Sequence, residues 1–411
     1  MLDDFFGSYR VLDLTDEEGF LCGKLLGDLG ADVIKVERPG GDPARSAGSF
    51  YGSVPDRRKS LYWFAYNANK RGITLSLDNP AGREIFKRLV RTADFVIESH
   101  PPGYLSGLGL GYADLSDMSP GLIMTSITPF GQDGPRSQHK GSNLVAEATG
   151  GLMYITGNAE GRPMSTSYNY AYSHAGLQAA TATLIANYWR QRTGRGQHVD
   201  LSIQEAVLVT LYNPQTMWYD SRVVQGRYGG KLLRNQGVLG GLVFPCQDGY
   251  VLWRLMTAHF TPRLTPLVKW MAEEGMADEL VGIDWARVDM SKTSQQQQDA
   301  WEEVFARFFL ARTKAELYAE AIKRGIMLFP VNDAGDILKD PQLEARGFWE
   351  EVEHPELGTS LTYAGVPFKM SGFTYRLRRA PLVGEHNEEV YCRELGLSGE
   401  ELASLKEQGA V

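Results

Sequence analysis

Short apolar runs separated by helix-length segments recur through the first third of this 411-residue chain. That alternation restricts the fold more than any other feature. The runs fall at residues 11–14, 32–36, 72–77, 95–97 and 122–127. Between the first two, residues 19–29 have helical periodicity, and Gly30 follows as a stop. Before the fourth, residues 80–92 read as a helix with Pro80 in its first turn. Strands that are apolar on both faces and alternate with helices predict a mostly parallel, doubly wound α/β sheet covered by helices. An open sheet of this kind takes ligands beyond the carboxyl ends of its strands.

Further along, residues 172–192 predict a long helix ending at Thr193-Gly194-Arg195-Gly196. A strand at 199–203 and a helix from Gln204 follow. The glycine-rich stretch from Gly229-Gly230 to Gly240-Gly241 marks a composition shift and the passage into a second domain, as a chain too long for one ordinary core requires. The glutamines Gln295 to Gln298 read as a solvated helix start or loop. The tail from Pro381 is polar and helical in part. The aromatic residues between Tyr168 and Tyr172, and Trp218-Tyr219, fit a core or a ligand wall equally well.

Composition excludes several classes. With 43% hydrophobic and 22% charged residues the chain is globular, and its net charge of −8 argues against a general nucleic-acid binder. It leaves room for an anionic ligand in a local basic pocket. Cys22, Cys246 and Cys392 are widely spaced and odd in number, so neither a disulfide framework nor a metal site is expected. The acidic N-terminus lacks a secretory pattern, and no run of about 18 apolar residues predicts a membrane span. The expectation is a cytoplasmic protein with reduced thiols.

Several segments resemble the family III CoA-transferases, the CaiB/BaiF group. They are Val11-Leu12-Asp13-Leu14-Thr15, the run from Gly27 to Asp42 containing Gly30-Ala31-Asp32-Val33-Ile34-Lys35-Val36-Glu37, and Asn69-Lys70-Arg71-Gly72. Ile127-Thr128-Pro129-Phe130-Gly131, Thr193-Gly194-Arg195-Gly196-Gln197-His198-Val199-Asp200, Phe244-Pro245-Cys246-Gln247-Asp248-Gly249-Tyr250 and Pro381-Leu382-Val383-Gly384 continue in the family's order. The resemblance implies a Rossmann-like large domain formed by residues 1–225 and a return segment, 336–411, with a small α+β domain inserted at 226–335. It also implies that two such chains interlock as linked rings.

The family's ligand is a coenzyme A thioester, whose phosphates call for arginine, lysine or backbone N–H donors. Arg38, Lys70, Arg71 and Lys140 match the family's CoA contacts, and Gly237, Gly240 and Gly241 resemble its glycine loop. Other matches fail. Glu98-Ser99-His100 stands for Glu-Asn-Phe, Gly107 replaces a common arginine, and Asp16-Glu17-Glu18-Gly19 occupies a loop that often carries a glutamine.

The largest departure concerns the nucleophile. In the family an aspartate attacks the donor thioester to form a mixed anhydride, and CoA thiolate then returns to give an enzyme-bound thioester. It lies four residues before the glycine of a long helix. Counting back from Gly176 gives Tyr172, and no Asp or Glu lies between Glu160 and Asp200. Ser173 and His174 are adjacent and do not face each other on a helix. Asp16, Glu17 and Glu18 are the remaining substitutes. The family's racemase chemistry needs a histidine in Gly-His-Asp, where this chain has Gly141-Ser142-Asn143. The resemblance therefore implies a non-catalytic subunit whose paralogous partner carries the aspartate. The succinyl-CoA:benzylsuccinate enzyme of the family, in which one of two related subunits lacks it, has this pattern. The alternatives are a homodimeric transferase or isomerase using another carboxylate, and a CoA-binding scaffold without turnover.

Overall fold

The computed structural model describes residues 6–233 and 237–411. Each apolar run of the first third becomes a strand: β1 (Arg10–Leu14), β2 (Asp32–Glu37), β3 (Lys70–Thr74), β4 (Phe95–Glu98) and β5 (Ile123–Thr128), joined by β6 (His198–Ser202). All neighbours pair in parallel, in the order β3-β2-β1-β4-β5-β6. Leu12 sits opposite Ile34 on one side and Val96 on the other, so apolar rows run straight across the sheet. One face packs under the helix Pro80–Val90 and the C-terminal helix Gly399–Glu407, where Leu12, Ile34, Val96, Phe86, Leu89 and Tyr391 are buried together. The helix Pro80–Val90 starts where Asn79 accepts the Ala81 N–H at 2.9 Å and proline fills the first turn.

On the opposite side the helix Phe20–Asp28 crosses the long helix Tyr170–Thr193. A Cβ on Gly176 would meet Leu21 Cβ at 2.8 Å and the Cys22 nitrogen at 3.1 Å, so only glycine admits this approach. The long helix ends at Gly194 with φ +72°, the left-handed cap that the sequence predicts.

The chain divides into two compact units. The first holds the residues up to Leu152, Ser165–Asp220 and Ala345–Val411; the second holds Met153–Met164 and Ser221–Glu344. The second contains β7 (Lys231–Leu233), β8 (Leu239–Gly241), β9 (Val243–Cys246), β10 (Gly249–Trp253) and β11 (Leu328–Val331). Strands β9, β10 and β11 form an antiparallel sheet whose inner face meets Phe305, Phe308 and Phe309 of the helix Gln295–Leu310. In the first unit, β12 (Trp349–His354) and β13 (Thr359–Ala364) form a separate antiparallel pair.

The glutamine tract is a helix start, as the sequence allows, with Gln296 and Gln297 exposed, but it is not solvated throughout. Gln298 is fully buried, and Gln295 both accepts from the Leu239 N–H at 2.8 Å and donates to its carbonyl at 2.9 Å. The tract serves as the docking edge for β8, with Ser294 as the helix N-cap. Glutamine is chosen there for its amide, which can pair with a strand backbone as another strand would.

Candidate active site at the sheet switch point

Strand order reverses between β1 and β4, which opens a crevice at their carboxyl ends. Two loops face each other there. Asp16, after β1, donates its N–H to Ser99 Oγ at 2.8 Å and accepts the Ser99 hydroxyl on Oδ1 at 2.8 Å. The crevice measures about 330 Å³, and its lining includes Asp16, Arg38, Asp78, Ser99, His100 and Tyr104. The rings of His100 and Tyr104 lie 4.7 Å apart, and the Tyr104 hydroxyl donates to Asp78 at 2.8 Å.

Carboxyl groups around the first loop push one another up. Burial, with Asp16 and Glu17 nearby, raises Glu18 to about 8, so it is largely protonated at neutral pH. Burial, with Asp16 and Asp42 nearby, raises Glu17. Glu98, buried at the end of β4, rises to about 7, mainly by desolvation.

Tyr172 stands in the first turn of the long helix and is only 6% exposed. Burial holds its phenol far above the ordinary range, and the neighbouring carboxyls of Glu18 and Glu17 add to this. The close approach at Gly176 is what brings this turn beside the acidic loop. The turn is capped from outside: Asn143 Oδ1 accepts the N–H groups of Ala171 at 2.9 Å and Tyr172 at 3.4 Å. Asn143 in turn donates to Glu147 at 2.9 Å, and Glu147 also receives Ser165 Oγ, Thr166 N and Thr166 Oγ1. Burial alone would raise Glu147, but these hydrogen bonds bring its carboxyl below the usual value. The His174 ring lies 4.3 Å from that of Tyr170. Ser142, in the segment compared with the racemase histidine, caps the helix Asn143–Thr149.

The expected CoA contacts do not converge. Arg38 lines the crevice, with its Nε 3.4 Å from the Gly41 carbonyl. Lys70 and Arg71 begin β3 at the opposite, amino edge of the sheet. The Lys70 side chain is 0% exposed, and its ammonium donates to Asp13 at 2.8 Å, the Phe20 carbonyl at 2.9 Å and Asn67 at 3.0 Å. Those three acceptors use all of its protons. Asp13 is held below the usual carboxylate range because Lys70 and Lys35 outweigh its desolvation. Arg71 is bound by Asp32, Glu389 and Glu394 at 2.5–2.8 Å. Lys140 is exposed, three residues before the helix Asn143–Thr149.

The glycines Gly237, Gly240 and Gly241 belong to the second unit. Gly237 has φ +83°. Gly241 donates to both oxygens of Glu302 at 2.9 Å, and a Cβ there would fall 2.3 Å from the Phe244 ring. Sequence reasoning missed Ser99, Asn143, Glu147 and Glu302. Ser99 and Asn143 appeared only as departures from a pattern, and Glu147 and Glu302 carry no local signal. Among the described residues there is no cluster of His, Cys, Asp and Glu that could hold a metal ion, and no helix is long and apolar enough to cross a membrane.

A sheet of this order with a crevice at the switch point defines a doubly wound α/β protein. The model of CoA-transferase family III matches residues 8–387, and the chain belongs to that family. It is 37% identical to the succinyl-CoA:(R)-benzylsuccinate CoA-transferase subunit BbsE of Thauera aromatica, over 99% of this chain and 98% of that protein. It is 32% identical to the formyl-CoA:oxalate CoA-transferase of Streptomyces avermitilis, over 98% of each. The crystal structure of a CAIB/BAIF family protein from Brucella suis superposes with a TM-score of 0.81 at 28% identity, covering 94% of this chain and 98% of that one.

Proposed function

We propose that this chain is the nucleophile-lacking subunit of a heteromeric family III CoA-transferase that moves CoA between carboxylic acids. The observation that carries the reading is the buried phenol of Tyr172 in the first turn of the long helix. Attack on a thioester and formation of an acyl anhydride need an ionised carboxylate. A phenol whose proton is held this firmly offers neither the charge nor the second acyl oxygen. The partner is a paralogue with aspartate at the matching position, which carries the covalent chemistry. The similarity to a protein named as a CoA-transferase subunit supports this assignment. That relative's name also makes succinyl-CoA and a benzyl-substituted succinate the first substrates to try. CoA thioesters are cytoplasmic metabolites, and we place the complex there. Within this chain Arg38 is the cation we assign to CoA, with Lys140 next; Lys70 and Arg71 we assign to holding the fold.

The test is the purified chain against the chain co-expressed with an aspartate-bearing paralogue, assayed for CoA exchange between succinyl-CoA and benzylsuccinate. Activity only in the co-expressed preparation is expected. Full activity of this chain alone would sink the reading.

A second reading is favoured by the carboxyl groups of Glu17 and Glu18 beside Tyr172: one of them, once it has lost its proton, acts as the nucleophile in a homodimer. Hydroxylamine or borohydride trapping during turnover, with the adduct mapped, separates the two. A modified Glu17 or Glu18 supports the second reading, and an adduct confined to the partner supports the first.

A further inference from the structure

A buried acid closes β4 in the company of other acids. Glu98 is 3% exposed, and the charges that act on it, Asp16 on the loop after β1 and Asp200 on β6, are carboxylates as well. A buried carboxylate in such surroundings is costly. Glutamine would offer its neighbours the same acceptor and leave out the charge. The acid at 98 is therefore unexplained by the stability of the fold.

Its contacts run in two directions. Toward the crevice, Glu98 Oε2 accepts the His100 N–H at 2.7 Å and so holds the start of the loop that carries Ser99 and His100 into the crevice wall. The same loop is tied to Asp16 through Ser99 and to Asp78 through Tyr104. Toward solvent, the pairing of β4, β5 and β6 sets Glu98, Ser126 and Asp200 side by side, and His198 lies two residues before Asp200 on the same face. The Ser126 hydroxyl hydrogen-bonds the Glu98 carboxyl and lies 2.9 Å from Nε2 of His198. Ser126 is buried, whereas His198 is exposed and stacks on Tyr112. The three side chains connect the crevice loop to the surface.

Ser126 has one proton to give. With Glu98 ionised, it donates that proton to the carboxylate, and its oxygen accepts Nε2–H of His198. With Glu98 protonated, the carboxyl donates to Ser126, Ser126 turns to donate to Nε2, and the imidazole keeps its proton on Nδ1. One proton is taken up at Glu98, and the His198 proton changes nitrogen by exchange with water. We propose that Glu98 is a positioning residue for the crevice, and that Glu98, Ser126 and His198 form one hydrogen-bond chain whose direction follows the proton on Glu98. An ionised carboxylate grips the His100 N–H more strongly than a neutral one, so the loop is held best once the proton has left. Burial places the change near neutral pH, with Glu98 raised to about 7. Burial also lowers His198, against the pull of Asp200, and lowers His100, so both rings are neutral there. That this loop serves CoA rests on the function proposed above.

The variants are Glu98→Gln and Ser126→Ala in the full chain. The readouts are the ring 15N shifts of His198, assigned by their loss in His198→Gln, and CoA affinity by calorimetry from pH 6 to 8.5. Wild-type His198 is expected to pass from Nδ1–H to Nε2–H as pH rises through about 7. Glu98→Gln, whose amide imitates the protonated acid by donating to Ser126, should hold Nδ1–H at every pH. Ser126→Ala should cut His198 off, so that its tautomer no longer changes near neutral pH. CoA should bind wild type about fivefold tighter than Glu98→Gln at pH 8, the difference between a charged and a neutral acceptor, and nearly equally at pH 6. The ratio of the two affinities cancels the titration of CoA's own phosphate. A His198 tautomer that is the same in wild type and Glu98→Gln across this range overturns the chain. An affinity ratio that does not change with pH overturns the positioning role while the CoA reading stands. If wild type binds no CoA at any pH, the CoA reading fails and the positioning role falls with it, whereas the tautomer still decides the chain.

Discussion

Residue 172 sits in a first helical turn whose N–H groups are taken by Asn143 and whose flank is crowded by Glu17 and Glu18. The identity of that residue was legible in the sequence; its burial and its acidic neighbours were not, because they depend on loops far apart in the chain. Glu18 supplies a pH test. Its folded pKa is about 8, above the unfolded carboxylate value near 4.3. The folded state therefore binds the extra proton, and stability from this group is complete below about pH 4.3 and is lost as pH rises through 8. Glu18→Gln removes that loss. Its Tm should exceed wild type at pH 8 and approach it at pH 5, as differential scanning calorimetry will show. Lys70 tests a different expectation. Lys70→Met leaves Asp13 buried with only Lys35, 3.6 Å away, as a cation. A broken buried pair costs roughly 3–5 kcal/mol. Urea unfolding should show a loss near the lower end of that range. A variant of unchanged stability with weakened CoA binding would restore Lys70 to the ligand contacts that its position in the sequence suggested.

At the scale of elements, the crossing of the helices Phe20–Asp28 and Tyr170–Thr193 places the switch-point loop against the turn that carries residue 172. The crossing depends on a missing side chain. Gly176→Val would drive methyl groups into Leu21 and the Cys22 backbone. Overpacking of this kind costs about 1–3 kcal/mol, and valine's gain in helix propensity over glycine, a few tenths of a kcal/mol, is too small to offset it. Chemical denaturation should register the loss, and partner-dependent CoA exchange should fall because the two halves of the site separate. The strands were readable from their apolar runs, since a two-sided parallel strand needs little beyond its own sequence. Of the glutamine tract only the helix start was readable. Its role as a docking edge for β8 appears only when Leu239 and Gly241, more than fifty residues earlier, arrive beside the helix Gln295–Leu310.

Across the whole molecule, the sheet depends on the end of the chain. Arg45, itself buried, holds Glu37 through two hydrogen bonds of 2.7 Å and reaches the Pro381 carbonyl at 2.9 Å, stacked on Trp63. The Tyr391 hydroxyl donates to the Thr74 carbonyl, and His386 accepts the Gly72 N–H. Arg71 binds Glu389 and Glu394. A chain ending at residue 376 keeps the Arg45–Glu37 pair but loses the contacts to Pro381, His386, Glu389, Tyr391 and Glu394, and it uncovers the face buried by Val390, Tyr391 and Leu402. It should fail to yield a cooperative unfolding transition, and limited proteolysis should degrade it where the full chain survives. The sequence by itself determined the parallel α/β class, the family and the absence of a carboxylate at 172, because each is written in local pattern or in residue identity. Tertiary structure alone decided which lysines are free, which carboxyls keep their protons and which tyrosines face water. Those properties are set by burial and by neighbours that the chain brings together from hundreds of residues apart, and no local pattern encodes them.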